Sequence, residues 1–432
     1  MKKWTDFFEF DINLLKLAEE AEEKIKPYQG KIAEIVRYNQ AKVLEAFRQE
    51  RVTEDCFIDS SGYGYNDYGR EKLESLLARI FEAEDSLART HIVSGTHAIS
   101  LALFGLLRPG DELLSITGTP YDTLSYIIKD PALKERDMGS FANWGISYRE
   151  LTLKEIKSDP ELLKKYLQRG KTKVVALQRS RGYSIDRPSL TLKELEELIC
   201  LVKEINDRVI VFVDNCYGEF VETSEPTAVG ADIIAGSLIK NPGGGLAPLG
   251  GYIAGKQALV EKIAARLTAP GLGKALGAMS GKRLLYQGLF LAPHIVGEAL
   301  KVALFAAAFF SLLGYDVDPS YDEERGDIIQ VIKLKDPELL KKFCAAIQQF
   351  SPVGAHFHPE AASMPGYKDK VIMAAGTFVH GASLELTADA PLRPPFAVFL
   401  QGGLTYEHAL SAIIACAQAL LSYIAERGRG ER

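Results

Sequence analysis

Val209-Ile-Val-Phe-Val213 is a run of consecutive apolar residues that ends on Asp214 and has no polar face. A strand of this kind must be covered on both sides, the condition of a parallel strand inside an α/β sheet. Strand-like runs recur near Ile92, Leu113, Val174, Ile233 and Gly251, with helical stretches between most of them. Such alternation predicts a largely parallel sheet with helices on both faces. In open sheets of this class ligands bind beyond the carboxyl ends of the strands. The residues just past each run therefore indicate what the protein could do.

Beyond the run at Ile233 the chain reads Gly236-Ser-Leu-Ile-Lys240-Asn-Pro-Gly-Gly-Gly245. A lysine at a strand end, with its amine in a dry pocket, loses its charge more readily than a solvated one and can condense with an aldehyde. The glycines after it are expected to leave room for a flat cofactor. A surface lysine in a turn is the alternative. Upstream, Ser94-Gly95-Thr96 breaks a short strand expected at His91-Ile-Val93 and opens an apolar helix. Free N–H groups and the positive end of the helix dipole make such a turn a phosphate cradle, although Ser-Gly-Thr is also an ordinary helix cap. Asp214 would find its cationic partner in a protonated pyridine nitrogen; a structural salt bridge or a metal is the other reading. Tyr121 comes after the strand-like 112–116 on the same edge and can stack on a planar ring, or be a plain loop tyrosine. Cradle, stacking ring, acid and lysine come in that order.

With these pieces the chain resembles the fold type I, aminotransferase-like pyridoxal phosphate enzymes. More narrowly it is similar to the methionine gamma-lyase/cystathionine beta-lyase group, in the branch called aluminium resistance protein. The likeness runs over nearly the whole chain and is sharpest at Gly62-Tyr-Gly-Tyr-Asn-Asp-Tyr-Gly-Arg70, Val93-Ser-Gly-Thr-His97, Val213-Asp-Asn-Cys-Tyr-Gly-Glu219, Ser237-Leu-Ile-Lys-Asn-Pro242 and Leu400-Gln-Gly-Gly-Leu-Thr-Tyr-Glu-His408. It implies pyridoxal 5′-phosphate as cofactor, Lys240 as its covalent anchor, Asp214 as the pyridine partner and Tyr121 as the stacking ring. Ser94, Gly95, Thr96 and Ser237 would bind the phosphate. Tyr65 would reach a neighbouring subunit's phosphate, so a homodimer or homotetramer with shared sites is expected.

Three positions depart from the better-known lyases. Ile239 stands where they carry a hydroxyl residue, Asp67 where they carry a phosphate-binding arginine, and Thr123 where methionine-cleaving members carry cysteine. Arg70 is the candidate substitute for that arginine. The implied reaction is β- or γ-elimination from a sulfur-containing amino acid, with Lys240 moving the Cα proton and its pKa lowered by burial and the nearby cofactor. A threonine aldolase-like enzyme and a cofactor-binding regulator without turnover are the rivals. A nucleotide-binding loop is weaker still, since Lys240 precedes the glycines, the reverse of the P-loop order. Arg393, on the proline-stiffened Ala390-Pro-Leu-Arg-Pro-Pro395, and Arg181, in the segment after Val174-Val-Ala-Leu177, are candidates to grip a substrate carboxylate.

A net charge of −6 gives no reason to expect nucleic acid or a membrane surface as partner. Five scattered cysteines form no metal spacing or disulfide framework, which with the early acids Asp6 and Glu9 points to a reducing cytoplasm. The uncharged stretch 302–315 is short of the roughly 20 residues that span a bilayer and reads as a buried helix. His356 and His358 would share one strand face as structural or pocket-rim residues, and no metal site is expected. The expected organisation is a helical N-terminal arm (1–60), a cofactor-binding α/β domain (61–290) and a smaller α+β domain (291–432). A long helix over 281–313 leads out of the larger domain. In the smaller one strands are expected over 327–334, 371–375 and 382–387, and helices over 337–350 and 406–426.

Overall fold

A computed structural model describes residues 3–128 and 139–430. The chain divides into two compact units, Tyr38–Pro293 and Met1–Arg37 with His294–Arg432. Both divisions fall inside helices: Ile12–Gln49, which carries Pro27, and Lys282–Leu312, which carries Pro293. The segment expected as a separate arm is thus shared between the two units.

The larger unit holds a seven-stranded sheet in the order β1-β7-β6-β5-β4-β2-β3. Its strands are β1 (Asp85–Arg89), β2 (Glu112–Ser115), β3 (Ser147–Glu150), β4 (Thr172–Gln178), β5 (Ile210–Asp214), β6 (Ile233–Ser237) and β7 (Gly251–Gly255). From β6 across to β3 all neighbours are parallel, while β7 runs antiparallel to both β6 and β1. Every residue of β5, β6 and β7 is buried, which is why those runs are apolar up to the Asp214 and Ser237 that end β5 and β6. Leu87, Phe212, Ile233 and Ile253 of the sheet pack with Ile99 and Leu103 of helix Gly95–Leu106 and Ile263 of helix Gln257–Leu267. The strand expected at His91–Val93 is instead a turn, and Val93 is exposed. The chain pairs earlier, Asp85 to Arg89 lying opposite Gly255 to Gly251.

The smaller unit is built on an antiparallel sheet in the order β10-β11-β12-β9-β8. Its strands are β8 (Asp316–Asp318), β9 (Ile329–Lys333), β10 (Val371–Ala374), β11 (Thr387–Pro391) and β12 (Ala397–Gln401). Helices Pro337–Gln349 and Tyr406–Gly430 pack on each other. The strand expected over 382–387 begins only at Thr387; Ser383–Glu385 is a 3₁₀ turn. His356 and His358 lie outside any strand and are exposed, so they share no strand face. Among the described residues no group of three metal-binding side chains forms.

Two helices, Lys282–Leu312 and Tyr406–Gly428, are long and apolar enough to cross a bilayer by length and composition. The most apolar window of the first is 78% buried inside the protein, the condition of a core helix.

Candidate active site

The parallel strands deliver their carboxyl ends to one edge of the larger sheet. There β5 ends on Asp214, β6 leads to Lys240, β4 leads to Arg179–Arg181, and β2 leads to Tyr121. The cradle comes from helix Gly95–Leu106. Ser94 caps that helix, its Oγ accepting from the His97 N–H at 3.1 Å. A methyl group placed at Gly95 would lie 3.2 Å from Cys216 Sγ and 3.4 Å from Ser237 Cβ. Glycine therefore lets the helix start press onto the ends of β5 and β6. Thr96 Oγ1 and Thr123 Oγ1 are hydrogen-bonded at 2.8 Å, tying the cradle to the helix that begins just after Tyr121.

Asp214 is buried and accepts from the Cys216 N–H at 3.1 Å. Burial pushes its carboxyl above the ordinary range, against the pull of that N–H and of Lys240. A cation placed over it would reverse the shift. The Lys240 ammonium lies 3.8 Å from the centre of the Tyr217 ring, a cation–π contact. Burial opposes its charge, but Tyr217, Cys216 and Asp214 outweigh burial and raise its pKa. Burial alone therefore does not lower the Lys240 pKa among these neighbours; the expected lowering rests on burial together with the cofactor.

The glycines after Lys240 also work differently from the expectation. Gly243 and Gly244 are buried, and a methyl group at Gly244 would lie 2.3 Å from the carbonyl oxygen of Gly288 in helix Lys282–Leu312. Gly244 and Gly245 have φ of 51° and 73°. They allow backbone to pack on backbone in a left-handed turn rather than opening a slot for a ring.

Of the other expected residues, Tyr121 is half-buried, its ring 5.5 Å from that of Tyr183, and it lies 3.0 Å from where a methyl group at Gly182 would sit. Arg181 is 2% exposed in the same loop. Ser237 is buried at the end of β6. Tyr65 is 57% exposed, its ring tilted beside that of Tyr63 at 5.9 Å. Arg393 stands between β11 and β12 in the smaller unit and pairs with Asp369 at 2.7 Å.

Arg70, the candidate phosphate arginine, is fully buried and donates to the carbonyl oxygens of Gly64 at 2.7 Å and Gly277 at 2.9 Å. It shapes the tyrosine loop and is not available to a phosphate. Asp67, where that arginine would stand, caps helix Tyr68–Ile80 and forms an ion pair with Lys282.

Sequence reasoning missed three residues here, Tyr217, Arg187 and Glu219; Gln178 belongs to the segment after Leu177 already expected at the site. Tyr217 has a left-handed φ of 71°, which costs on the order of 1 kcal/mol for a residue with a Cβ and aims its ring at Lys240. Arg187 donates to three main-chain carbonyls around Tyr121 and Arg181. Gln178 holds a buried side-chain oxygen with no hydrogen-bond partner among the described residues. Glu219 is fully buried against the Tyr252 hydroxyl at 2.8 Å, and burial raises its carboxyl to about 8. Only Glu219, an acid just past an all-apolar strand, carried a signal that could have found it.

The methionine gamma-lyase family profile matches residues 14–421. The chain belongs to the methionine gamma-lyase family. Within it, YnbB of Bacillus subtilis (strain 168) is 50% identical over 410 residues, 94% of this chain and 96% of that protein. The crystal structure of a carbon-sulfur lyase involved in aluminium resistance from Clostridium novyi NT aligns with a TM-score of 0.90 at 46% identity, covering 96% of this chain and 97% of that one. A protein described as a cystathionine beta-lyase involved in aluminium resistance, from Clostridium acetobutylicum, aligns with a TM-score of 0.92 at 48% identity, covering 96% and 97%. At 16% identity and a TM-score of 0.60 the pyridoxal-5′-phosphate-dependent YhfS of Escherichia coli shares the fold. This methionine gamma-lyase family member thus has the fold type I architecture expected from its sequence.

Proposed function

We propose that this protein is a pyridoxal 5′-phosphate-dependent carbon–sulfur lyase that acts on a sulfur-containing amino acid such as cystathionine, methionine or a cysteine conjugate. The reading rests above all on one juxtaposition: a buried acid at the end of β5 and a lysine just past β6, with a glycine-floored helix start packed on the ends of both strands. The residues fit the cofactor. The N–H groups at Gly95 and Thr96 with the Ser237 hydroxyl would hold the phosphate, Asp214 the pyridine nitrogen, Tyr121 the ring face and Lys240 the aldehyde carbon. Ser94 contributes by fixing the helix start. Bound there, the cofactor supplies an electron sink for a carbanion at Cα.

The protein's own part is proton handling and grip. Lys240 would release its proton to water on taking the aldehyde carbon, be displaced there by the substrate's amino group, and as the free amine take the Cα proton of the substrate. Asp214 stays ionised and keeps the opposing nitrogen charged. The carbon–sulfur bond breaks with its electron pair going to sulfur, and Tyr121 or Lys240 protonates the departing thiolate. Arg181, in the same unit as Lys240, is the proposed carboxylate partner. Loss from Cβ ends in pyruvate and ammonia after hydrolysis, loss from Cγ in 2-oxobutyrate and ammonia. The purified protein, incubated with cystathionine, methionine, cysteine conjugates and threonine, is expected to release a keto acid and a thiol from at least one sulfur amino acid. Acetaldehyde from threonine alone would make it an aldolase, and no product from any would leave a cofactor-binding regulator.

We further propose a homodimer or homotetramer of the cytoplasm, its five thiols unpaired, in which Tyr65 of one copy completes the phosphate site of another. The exposure of Tyr65 in its own chain supports this. Mixing Tyr65→Ala with Lys240→Ala subunits is expected to restore part of the activity that each homo-oligomer lacks, because hybrids gather both lesions in one site. Verified hybrids without recovery would confine Tyr65 to its own chain or to no site.

A further inference from the structure

The two loops that bring Tyr121 and Arg181 to the site come from different strands, and neither has regular structure to hold it. One guanidinium lies between them. Arg187 Nη1 donates to the carbonyl oxygens of Thr117 at 3.3 Å and Thr119 at 2.7 Å, on the loop after β2. Its Nη2 donates to the carbonyl oxygen of Arg181 at 3.0 Å, on the loop after β4. The Arg187 N–H is itself fixed by Ser184 Oγ at 3.1 Å. The loops meet beside it: a methyl group at Gly182 would lie 3.0 Å from Tyr121 Cδ2 and 3.5 Å from Arg187 Nη2. At the base of the same junction, the Gln178 N–H donates to Thr117 Oγ1 at 3.0 Å. Three carbonyls on two loops need donors spread in one plane, which a guanidinium offers and an ammonium does not.

We propose that Arg187 is a positioning residue, a clasp that joins the Tyr121 loop to the Arg181 loop and so sets the pose in which the cofactor ring is held. This deepens the pyridoxal phosphate reading and rests on it. Arg187 touches neither the lysine nor the cradle; it acts through Tyr121 and the Arg181 loop. Its charge faces Asp214, Asp122, Tyr148 and Arg181, and burial brings its guanidinium down to about 10, still cationic at neutral pH. The cation also opposes the upward push of burial on the Asp214 carboxyl.

Arg187→Met and Arg187→Lys separate this role from plain support of the fold. In cofactor-free protein, amide exchange at 117–121 and 181–184 is expected to accelerate at least 10-fold in Arg187→Met while the rest of the sheet keeps its protection. In protein loaded with pyridoxal phosphate, cofactor affinity is expected to fall at least 10-fold, and the visible circular dichroism per bound cofactor to weaken. Millimolar guanidinium should restore that signal in Arg187→Met. Arg187→Lys should recover only part of it, since one ammonium cannot reach all three carbonyls. Native exchange, affinity and dichroism in Arg187→Met would overturn the proposal. If Arg187→Met does not fold, a native dichroism signal in Arg187→Lys would overturn it equally. Failure of the parent reading would show separately, as wild-type protein that binds no cofactor yet keeps both loops protected.

Discussion

Lys240→Ala protein mixed with pyridoxal phosphate and reduced with borohydride is expected to carry no cofactor label, whereas the wild-type chain carries it on Lys240 alone. The amine stands over the Tyr217 ring at a strand end, with its carbonyl oxygen bound to the Gly243 N–H at 3.0 Å. No other lysine among the described residues combines a strand-end position in the larger sheet with that proximity to Asp214. Turnover should fall by more than the roughly 10²- to 10⁴-fold that a positioned acid–base group contributes, because the covalent anchor is lost as well. Peptide mapping that finds the label on another lysine, or wild-type protein with no visible absorbance, would remove Lys240 from the chemistry.

The second large effect is expected at Asp214. Asp214→Asn keeps the size of the side chain and can still accept from the Cys216 N–H, so the site should assemble and bind cofactor. It cannot answer a positive charge on the opposing nitrogen. Turnover should drop at least about 10²-fold, the scale of one lost electrostatic contact of roughly 3 kcal/mol. Rates within a few-fold of wild type in a variant that still binds cofactor would reduce Asp214 to a structural acid.

How far the sequence disclosed this arrangement depended on where each signal lay. β5 and β6 were legible because strands buried on both faces must be apolar throughout, and the residues that end them, Asp214 and Ser237, then fall on a known edge. Helix Lys282–Leu312 was legible from its apolar continuity across Pro293. β1 was not, because Asp85-Ser-Leu-Ala-Arg89 is polar at both ends and is a strand only by virtue of its distant partner β7. β3 is an edge strand with no residue fully buried, and β12 starts just behind Pro394-Pro395, so neither announces itself locally. The order of the site residues survived translation into space, whereas their physical states did not. Lys240 lies over the ring of Tyr217, whose left-handed backbone no local pattern predicts. The part played by Gly244 is set by a carbonyl on a helix far along the chain.

The antiparallel placement of β7 has a bearing on how freely the segment that carries Lys240 can move. Ser237 lies opposite Gly251, and the Leu238 N–H donates to the Gly250 carbonyl oxygen at 2.9 Å, so the segment bearing Lys240 is a loop closed at its neck. It is tied a second time by Asn241 Nδ2 to the Glu219 carbonyl oxygen at 2.9 Å, and a third time by Gly244 against Gly288. A loop fastened at its neck and along its length has no cheap partial opening: freeing the lysine means breaking contacts shared with the sheet itself. Regions of that kind exchange with solvent only when their whole cooperative unit melts. Lys240, the proposed anchor, thus sits on a segment expected to open only together with the sheet around it.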